Sequence, residues 1–222
     1  MTCNGLPQDG SVFPVPAFPV MTFVSDAVRE YYGQALQSNR DLKTSACACS
    51  DDLSPRLKGL AGKIHPEVLD RFYGCGSPIP PVLEGCRVID LGCGTGRDAF
   101  LLSAEVGPRG WVTGVDFTKE QLAVAQRHQA YHRDQFGLPQ INTEFLLGPI
   151  DDLGSIDIPA KHYDVAVSNC AINLAEDKAA VFAEIRRVLK PGGELLFSDV
   201  FASRRVPGHL RADPTLLGEC LA

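Results

Sequence analysis

The chain has 222 residues, of which 45% are hydrophobic and 22% charged, and its formal net charge is −6. This composition is typical of a globular protein with one domain and some appended segments. The acidic balance argues against a nucleic-acid partner, because phosphate binding relies on clustered Lys and Arg. No apolar run reaches the ~20 residues of a membrane span, and a basic residue first occurs at Arg29, so neither membrane insertion nor a secretory signal is expected. We therefore expect a cytoplasmic protein.

The chain divides into three predicted segments. Residues 1–22 form a Pro-rich leader without hydrophobic periodicity, which predicts a flexible or extended conformation. Residues 23–84 form an N-terminal helical segment that carries Cys47 and Cys75, and residues 85–222 form an α/β domain. In the helical segment, apolar spacing predicts helices from Ser25 to Ser38, from Ser54 to Lys63 and from Pro66 to Tyr73.

The α/β domain is predicted to begin with a strand, a glycine-rich turn and a helix. The apolar run from Val88 to Leu91 is typical of a buried strand, and the helix behind the glycines ends before Gly107. Further strands are predicted at 111–115, 143–147, 163–168 and 194–200, with helices at 118–136 and 176–189. This alternation predicts an α/β fold with a doubly wound, mostly parallel sheet.

The turn after the first strand has glycines at every second position, Gly92, Gly94 and Gly96. Such a turn lets backbone N–H groups approach a ligand closely at a helix N-terminus. Asp90 lies two residues before the first glycine, and Asp116 ends the next predicted strand, where a carboxylate can accept hydrogen bonds from ribose hydroxyls. The pattern therefore predicts a site for a nucleoside-containing ligand.

Together with the later Leu189-Lys190-Pro191-Gly192-Gly193 turn, this stretch resembles the class I S-adenosylmethionine-dependent methyltransferases. The resemblance implies that Asp90 and the loop backbone hold the methionine end of the cofactor, that Asp116 binds the ribose and that Phe117 stacks on the adenine. The implied cofactor-binding set is Asp90, Gly92, Cys93, Gly94, Gly96, Arg97, Asp116, Phe117, Ile150 and Asn169.

Sheets of that superfamily have two further strands after the fifth, which this sequence does not provide before Ala222. We therefore expect a sheet that lacks its last strands, in an N-terminal portion of a longer protein. An apolar strand at a sheet edge favours self-association, so we expect a monomer only if that edge is covered.

Four of the eight cysteines occur in motifs that resemble arsenite methyltransferases. The motifs are Tyr31-Tyr32-Gly33, Asp41-Leu42-Lys43-Thr44 with Cys47, Tyr73-Gly74-Cys75-Gly76, Ser168-Asn169-Cys170 and Gly218-Glu219-Cys220. The resemblance implies that Cys75, Cys170 and Cys220 hold trivalent arsenic, that Cys47 joins Cys75 and the others in redox turnover, and that Tyr73 walls the site.

The chemistry of arsenic agrees with this resemblance. Trivalent arsenic is soft and prefers thiolate ligands, which leave its lone pair free to attack the sulfonium methyl group without a general base. Closing a thiol pair to a disulfide can return pentavalent arsenic to the trivalent state, with thioredoxin or glutathione restoring the thiols. The implied function is methylation of trivalent arsenicals for detoxification.

Two alternatives remain open from the sequence. A different small-molecule methyltransferase, such as a carbon methyltransferase of quinone biosynthesis, would share the glycine turn but would not need the four cysteines. A chain with an incomplete sheet could also bind arsenic through its thiols and turn over slowly.

Other side chains are assigned structural roles. Thr118 and Gln121 predict a capping box at the start of a helix, and Cys86 is predicted to lie in the core. The five histidines show no cluster in the sequence. His128 and His132, four residues apart, are predicted to lie on the surface.

Overall fold

The computed structural model describes residues 31–35, 38, 41, 53–211 and 216. The predicted leader, most of the helix predicted from Ser25, Cys47 and Cys220 lie outside these residues. Five strands form one sheet in the order β3-β2-β1-β4-β5, and all neighbouring strands pair in parallel. Their bounds are Arg87–Leu91 (β1), Trp111–Asp116 (β2), Thr143–Leu147 (β3), Tyr163–Asn169 (β4) and Leu189–Ser198 (β5). The predicted α/β fold with a parallel sheet is confirmed.

Helices precede, separate and follow the strands. They are Pro55–Ala61 (α1), Pro66–Asp70 (α2), Arg97–Val106 (α3), Lys119–Arg127 (α4), Gln129–Gln135 (α5), Lys178–Val188 (α6) and Gly208–Arg211 (α7). A π-helical turn covers Tyr31–Ala35, and 3-10 turns cover Gly107–Arg109, Leu153–Ile156 and Ile172–Leu174. Within the described part of the chain, no helix combines the length and the apolar character needed to cross a membrane.

Both faces of the sheet are buried along β1, β2 and β4, because the residues of these strands alternate between two hydrophobic cores. Val88 points to one core, where it packs with Phe100 of α3, and Ile89 points to the other, where it packs with Ile185 of α6. All four side chains are almost fully buried. Coverage of both faces is the usual arrangement for parallel sheets, and it leaves the carboxyl ends of the strands as the accessible edge for a ligand.

The predicted helix at 118–136 is wrong in continuity, because the structure divides it at His128 into α4 and α5. The predicted capping box is also wrong. Thr118 occupies the N-cap position of α4 but its side chain does not cap the helix, and Gln121 donates a hydrogen bond to the backbone oxygen of Tyr32 at 2.9 Å instead. A tertiary contact with the N-terminal segment thus replaces the local one.

The predicted surface position of His128 and His132 is wrong as well. His132 is 1% exposed and His128 8% exposed. The ring of His132 stacks on Phe100 with centroids 3.6 Å apart, and His128 stacks on His65 at 3.7 Å. Burial lowers the pKa of His132 to about 4, so the ring is neutral at physiological pH.

This buried histidine predicts a loss of stability on mild acidification. The unfolded chain protonates His132 near its ordinary pKa, whereas the folded chain resists protonation until about pH 4. The stabilisation is therefore complete above pH 6.5 and declines by about 3 kcal/mol as the pH falls to 4. Denaturant unfolding across this range should show a shallower decline for His132→Gln than for the wild type. Parallel profiles for the two proteins would show that His132 does not contribute.

Candidate functional site

A cavity of about 460 Å³ opens at the carboxyl ends of the strands. Its volume lies within the ~300–1,000 Å³ range of small-molecule sites. The ends of β1, β2, β3 and β4, the glycine turn and the first turns of α3 and α4 all contribute to the lining. The polar and aromatic lining residues include Tyr32, Tyr73, Asp90, Asp98, Asp116, Phe117, Gln121 and Asn169.

The turn between β1 and α3 brings backbone close to the cavity. Gly92 has a φ of 77°, and a Cβ at this position would lie 2.1 Å from the Cβ of Ala171. Only glycine therefore allows the turn to pack against the segment after β4. The backbone N–H of Gly94 donates to Oδ2 of Asp116 at 2.8 Å, which ties the turn to the end of β2.

Asp116 is held in place by several donors. Its Oδ1 accepts a hydrogen bond from the backbone N–H of Thr118 at 2.8 Å, and its Oδ2 accepts from Gly94. Burial raises the pKa of Asp116, while these hydrogen bonds oppose the rise. The carboxylate is thus fixed in orientation at the wall of the cavity, where it can accept hydrogen bonds from a ligand.

Asp90 is 1% exposed and its Oδ2 has no hydrogen-bond partner among the described residues. Burial is the main cause that raises its pKa well above the ordinary value, and the nearby carboxyl groups of Asp98 and Asp116 raise it further. Three acidic side chains thus lie along one wall of the cavity. This wall favours a ligand that carries positive charge and hydrogen-bond donors.

Within the part of the chain that the structure describes, two more buried polar atoms in the lining have no hydrogen-bond partner, the hydroxyl of Tyr73 and Oε1 of Gln121. Burial raises the pKa of Tyr73 to about 12, so the hydroxyl keeps its proton. An unpaired buried polar atom costs about 1–3 kcal/mol, which a ligand that pairs with it can recover. Together with Asp90, these atoms offer a ligand two acceptors and one hydroxyl.

Two of the predicted thiol residues meet beside the cavity. Cys75 and Cys170 form a disulfide with their Cα atoms 6.0 Å apart. Cys170 lines the cavity and is 5% exposed, and Leu174 and Val200 pack against the pair. The backbone N–H of Cys170 donates to the carbonyl of Ser198 at 2.8 Å, so the end of β5 supports the same site.

Asn169 connects the cysteine pair to the glycine turn. Its Oδ1 accepts a hydrogen bond from the backbone N–H of Cys75 at 2.9 Å, and its Nδ2 donates to Oδ2 of Asp98 at 2.7 Å and to the carbonyl of Gly76 at 3.2 Å. Gly74 makes this approach possible, because a Cβ there would lie 2.7 Å from Nδ2 of Asn169. One buried amide thus holds residues 74–76, which we call the cysteine loop, against the first turn of α3.

Most of the predicted cofactor residues lie at the cavity. The lining includes Asp90, Gly92, Cys93, Gly94, Asp116, Phe117, Ile150 and Asn169, together with Tyr73 and Cys170. Gly96 and Arg97 do not line it. The Arg97 side chain is buried, pairs with Asp98 at 2.5 Å and lies 4.2 Å above the ring of Phe72, so it positions Asp98 from behind. Of the predicted thiols, Cys47 and Cys220 lie outside the described residues.

Asp98, Gln121 and Tyr32 also line the cavity, although the sequence pattern did not indicate them as site residues. Asp98 and Gln121 occupy first turns of helices that follow strands, and this placement alone could have indicated that they face a ligand at the strand ends. Tyr32 belongs to the distant N-terminal segment, and no pattern in the sequence indicates where its ring packs.

The environment of Asp90 predicts a stabilising substitution. Asp90→Asn removes a buried charge that faces two other carboxyl groups, so it should raise the free energy of unfolding at pH 7 by about 1–2 kcal/mol. A raised folded-state pKa destabilises the wild type as the pH rises, so the advantage of the variant should shrink towards pH 4. Denaturant unfolding at pH 4 and 7 measures both effects, and a variant less stable than the wild type at pH 7 would contradict this assignment.

Residues 83–222 match the family described as a methyltransferase domain. Over 196 residues the chain is 51% identical to an arsenite methyltransferase of Aquipseudomonas alcaligenes, an alignment that covers 88% of this chain and 56% of the relative. It is 45% identical over 195 residues to the human arsenite methyltransferase, covering 87% of this chain and 52% of that protein.

The fold is also similar to that of a protein of known structure. The crystal structure of an arsenic(III) S-adenosylmethionine methyltransferase from Chlamydomonas reinhardtii superposes with a TM-score of 0.72 at 47% identity. The superposition covers 76% of this chain and 56% of that one. The chain therefore spans about half the length of the curated relatives it matches.

Proposed function

Because this chain belongs to the methyltransferase-domain family, we propose that it binds S-adenosylmethionine in the cavity and transfers methyl groups to trivalent arsenic. The observation that carries the proposal is the position of the Cys75–Cys170 pair, whose second member lines the cavity beside three acidic side chains. The biological outcome is detoxification of arsenite and its methylated products.

The buried polar groups that line the cavity fit S-adenosylmethionine. The cofactor carries an ammonium group, a positively charged sulfonium and two ribose hydroxyls, and the wall supplies buried acceptors for all of them. Asp116 is oriented to accept hydrogen bonds from the ribose hydroxyls. Oδ2 of Asp90 and Oε1 of Gln121 can accept hydrogen bonds from the other donor groups of the cofactor. Phe117 and Ile150 provide apolar lining for the adenine.

The cysteine pair fits a soft substrate in its reduced form. As a disulfide the two sulfur atoms cannot act as thiolates, so arsenic binding requires two electrons from thioredoxin or glutathione. After reduction, Cys75 and Cys170 supply two thiolates at neighbouring positions, and Cys220 supplies a third. Cys47 serves the redox step that follows methyl transfer.

The transfer step needs positioning but no general base. Bound S-adenosylmethionine supplies an electrophilic methyl group on a sulfonium. The thiolates of Cys75, Cys170 and Cys220 would hold trivalent arsenic with its lone pair free to form a bond to that methyl group. The C–S bond would break with its electron pair passing to sulfur, and arsenic would become formally pentavalent. Two thiols that close to a disulfide then return two electrons to arsenic. Holding the two reactants in line lowers the barrier by at most about 7–11 kcal/mol.

The chain's own residues provide that alignment. Asn169 hydrogen-bonds to the cysteine loop and to Asp98, so the thiol-bearing loop and the cofactor wall share one anchor. Tyr73 lies on the same wall and keeps its proton, which leaves a neutral hydroxyl near the reacting centre. A neutral wall residue does not compete for the sulfonium as an anion would.

The proposal predicts different losses for two cysteine variants. Purified protein is incubated with S-adenosylmethionine, a thiol reductant and either arsenite or methylarsenite, and arsenic species are separated over time. Cys170→Ser should abolish methylation of both substrates, because a hydroxyl is a poor ligand for a soft centre. Cys47→Ser should retain more activity on methylarsenite than on arsenite, since its part is the redox step.

Cys86→Ser is a matched control, because this half-buried thiol packs on the core away from the cavity and should leave both activities unchanged. Robust arsenite methylation by Cys170→Ser would overturn the arsenic site. Methylation of another acceptor with no methylated arsenic would overturn the proposed substrate while leaving the cofactor site in place.

A further inference from the structure

Three potential metal ligands meet at a place separate from the cavity. One ligand atom each of His65, Glu67 and His128 lie within 4.8 Å of one another, and none of these residues lines the cavity. His65 is the N-cap of α2, Glu67 lies in the first turn of that helix, and His128 is at the junction of α4 and α5. The cluster therefore joins the N-terminal segment to the α/β domain.

A fourth histidine fixes the two segments that carry these ligands. Nε2 of His132 accepts a hydrogen bond from the backbone N–H of His65 at 3.2 Å, so this nitrogen carries a lone pair. The proton is then on Nδ1, which donates to the carbonyl of His128 at 2.8 Å. The His132 ring is sandwiched between Phe100 and Phe136 and is 1% exposed. The positions of the ligand-bearing backbones are thus set by a buried side chain that is not itself a ligand.

The three ligand atoms face the same small volume. Oε2 of Glu67 lies 2.7 Å from Nε2 of His128, and Nδ1 of His65 accepts a hydrogen bond from the backbone N–H of Glu67 at 3.2 Å. Arg127 holds the other carboxylate oxygen, Oε1, at 2.7 Å and leaves Oε2 directed at the histidines. A carboxylate between two imidazoles has the composition of a three-ligand zinc site.

We propose that His65, Glu67 and His128 bind a divalent transition-metal ion of the zinc type. Two imidazole nitrogens favour zinc or its neighbours over calcium and magnesium, which prefer oxygen ligands. The ion takes the place of the proton shared by His128 and Glu67. Tetrahedral coordination requires the stacked His65 and His128 rings to fan apart. It also requires His65 to give up the hydrogen bond that its Nδ1 accepts from the Glu67 N–H, because a neutral imidazole has a single lone-pair nitrogen. Rotation of the half-buried His65 side chain achieves both. Water or an external ligand fills the fourth position.

This ion would connect α2 to the junction of α4 and α5. It would thereby stabilise α2, the helix that immediately precedes the loop carrying Cys75. The site does not depend on methyl transfer, so its test and the test of the proposed function fail separately. Cysteine thiols also bind zinc-type ions, and the experiment must therefore distinguish nitrogen and oxygen ligands from sulfur.

The test is a titration of the intact chain with Co²⁺, followed by competition with Zn²⁺. Cobalt reports its ligands by visible absorption, and a site made of His and Glu gives ligand-field bands without thiolate charge-transfer absorption. The wild type should bind one equivalent of Co²⁺ that gives such bands. His65→Gln and Glu67→Gln should each weaken Co²⁺ binding at this site by about tenfold to a hundredfold or more. Losses of that size occur even when the residue removed only supports a metal ligand.

Two further variants separate a metal site from a structural one. His162→Gln, which changes a histidine outside the cluster, should bind like the wild type. Arg127→Gln should bind as tightly or more tightly, because it frees the second oxygen of Glu67. Equal affinity in the wild type and both ligand variants would overturn the proposal. So would cobalt spectra that contain only thiolate charge-transfer bands.

Discussion

The side chain of Asn169 is the interaction on which the candidate site depends. It follows directly from the end of β4, and its amide bonds in two directions, to Asp98 of α3 and to the backbone of Cys75 and Gly76. The next residue, Cys170, is thereby placed opposite Cys75. A parallel sheet brings the ends of β1 and β4 together, and this one amide links the wall of the cavity to the Cys75–Cys170 disulfide.

The electrostatics of that wall follow from burial of like charges. Asp90, Asp98 and Asp116 lie at the ends of neighbouring elements, and each is less than a tenth exposed. Desolvation and, to a smaller extent, their mutual repulsion raise the pKa of Asp90, which makes this arrangement of carboxyl groups costly to bury. Arg97 offsets part of the cost by pairing with Asp98 from outside the cavity. A cationic ligand with several donors recovers the rest, which explains why such a destabilising arrangement can persist at a site.

Much of this architecture could be predicted from the sequence. The strand, glycine turn and helix around Asp90 are encoded locally, by an apolar run and by glycines where the backbone needs them. The position of Asp116 follows from the rule that parallel strands end at the same edge. The bounds of β3 were predicted as the structure has them, and those of β1, β2 and β4 to within one residue.

What could not be predicted depends on contacts between distant segments. Gln121 matches the capping pattern in the sequence, but its side-chain amide donates a hydrogen bond to the carbonyl of Tyr32. His132 reads as a surface residue because its neighbours in α5 are polar, but Phe100 from α3 covers its ring. The pairing of Cys75 with Cys170 depends on where Asn169 holds a loop 94 residues away in the chain. None of these partners is visible in any local pattern.

The most direct test of this account is X-ray absorption at the arsenic K edge, on reduced protein loaded with arsenite and free of S-adenosylmethionine. The wild type and Asn169→Ala are compared, because without cofactor the amide can act only by positioning the cysteine loop. The account predicts a first shell of sulfur atoms in the wild type, and one fewer As–S contact, replaced by oxygen, in the variant. An unchanged number of As–S contacts in Asn169→Ala would contradict the claim that Asn169 brings the two thiols together.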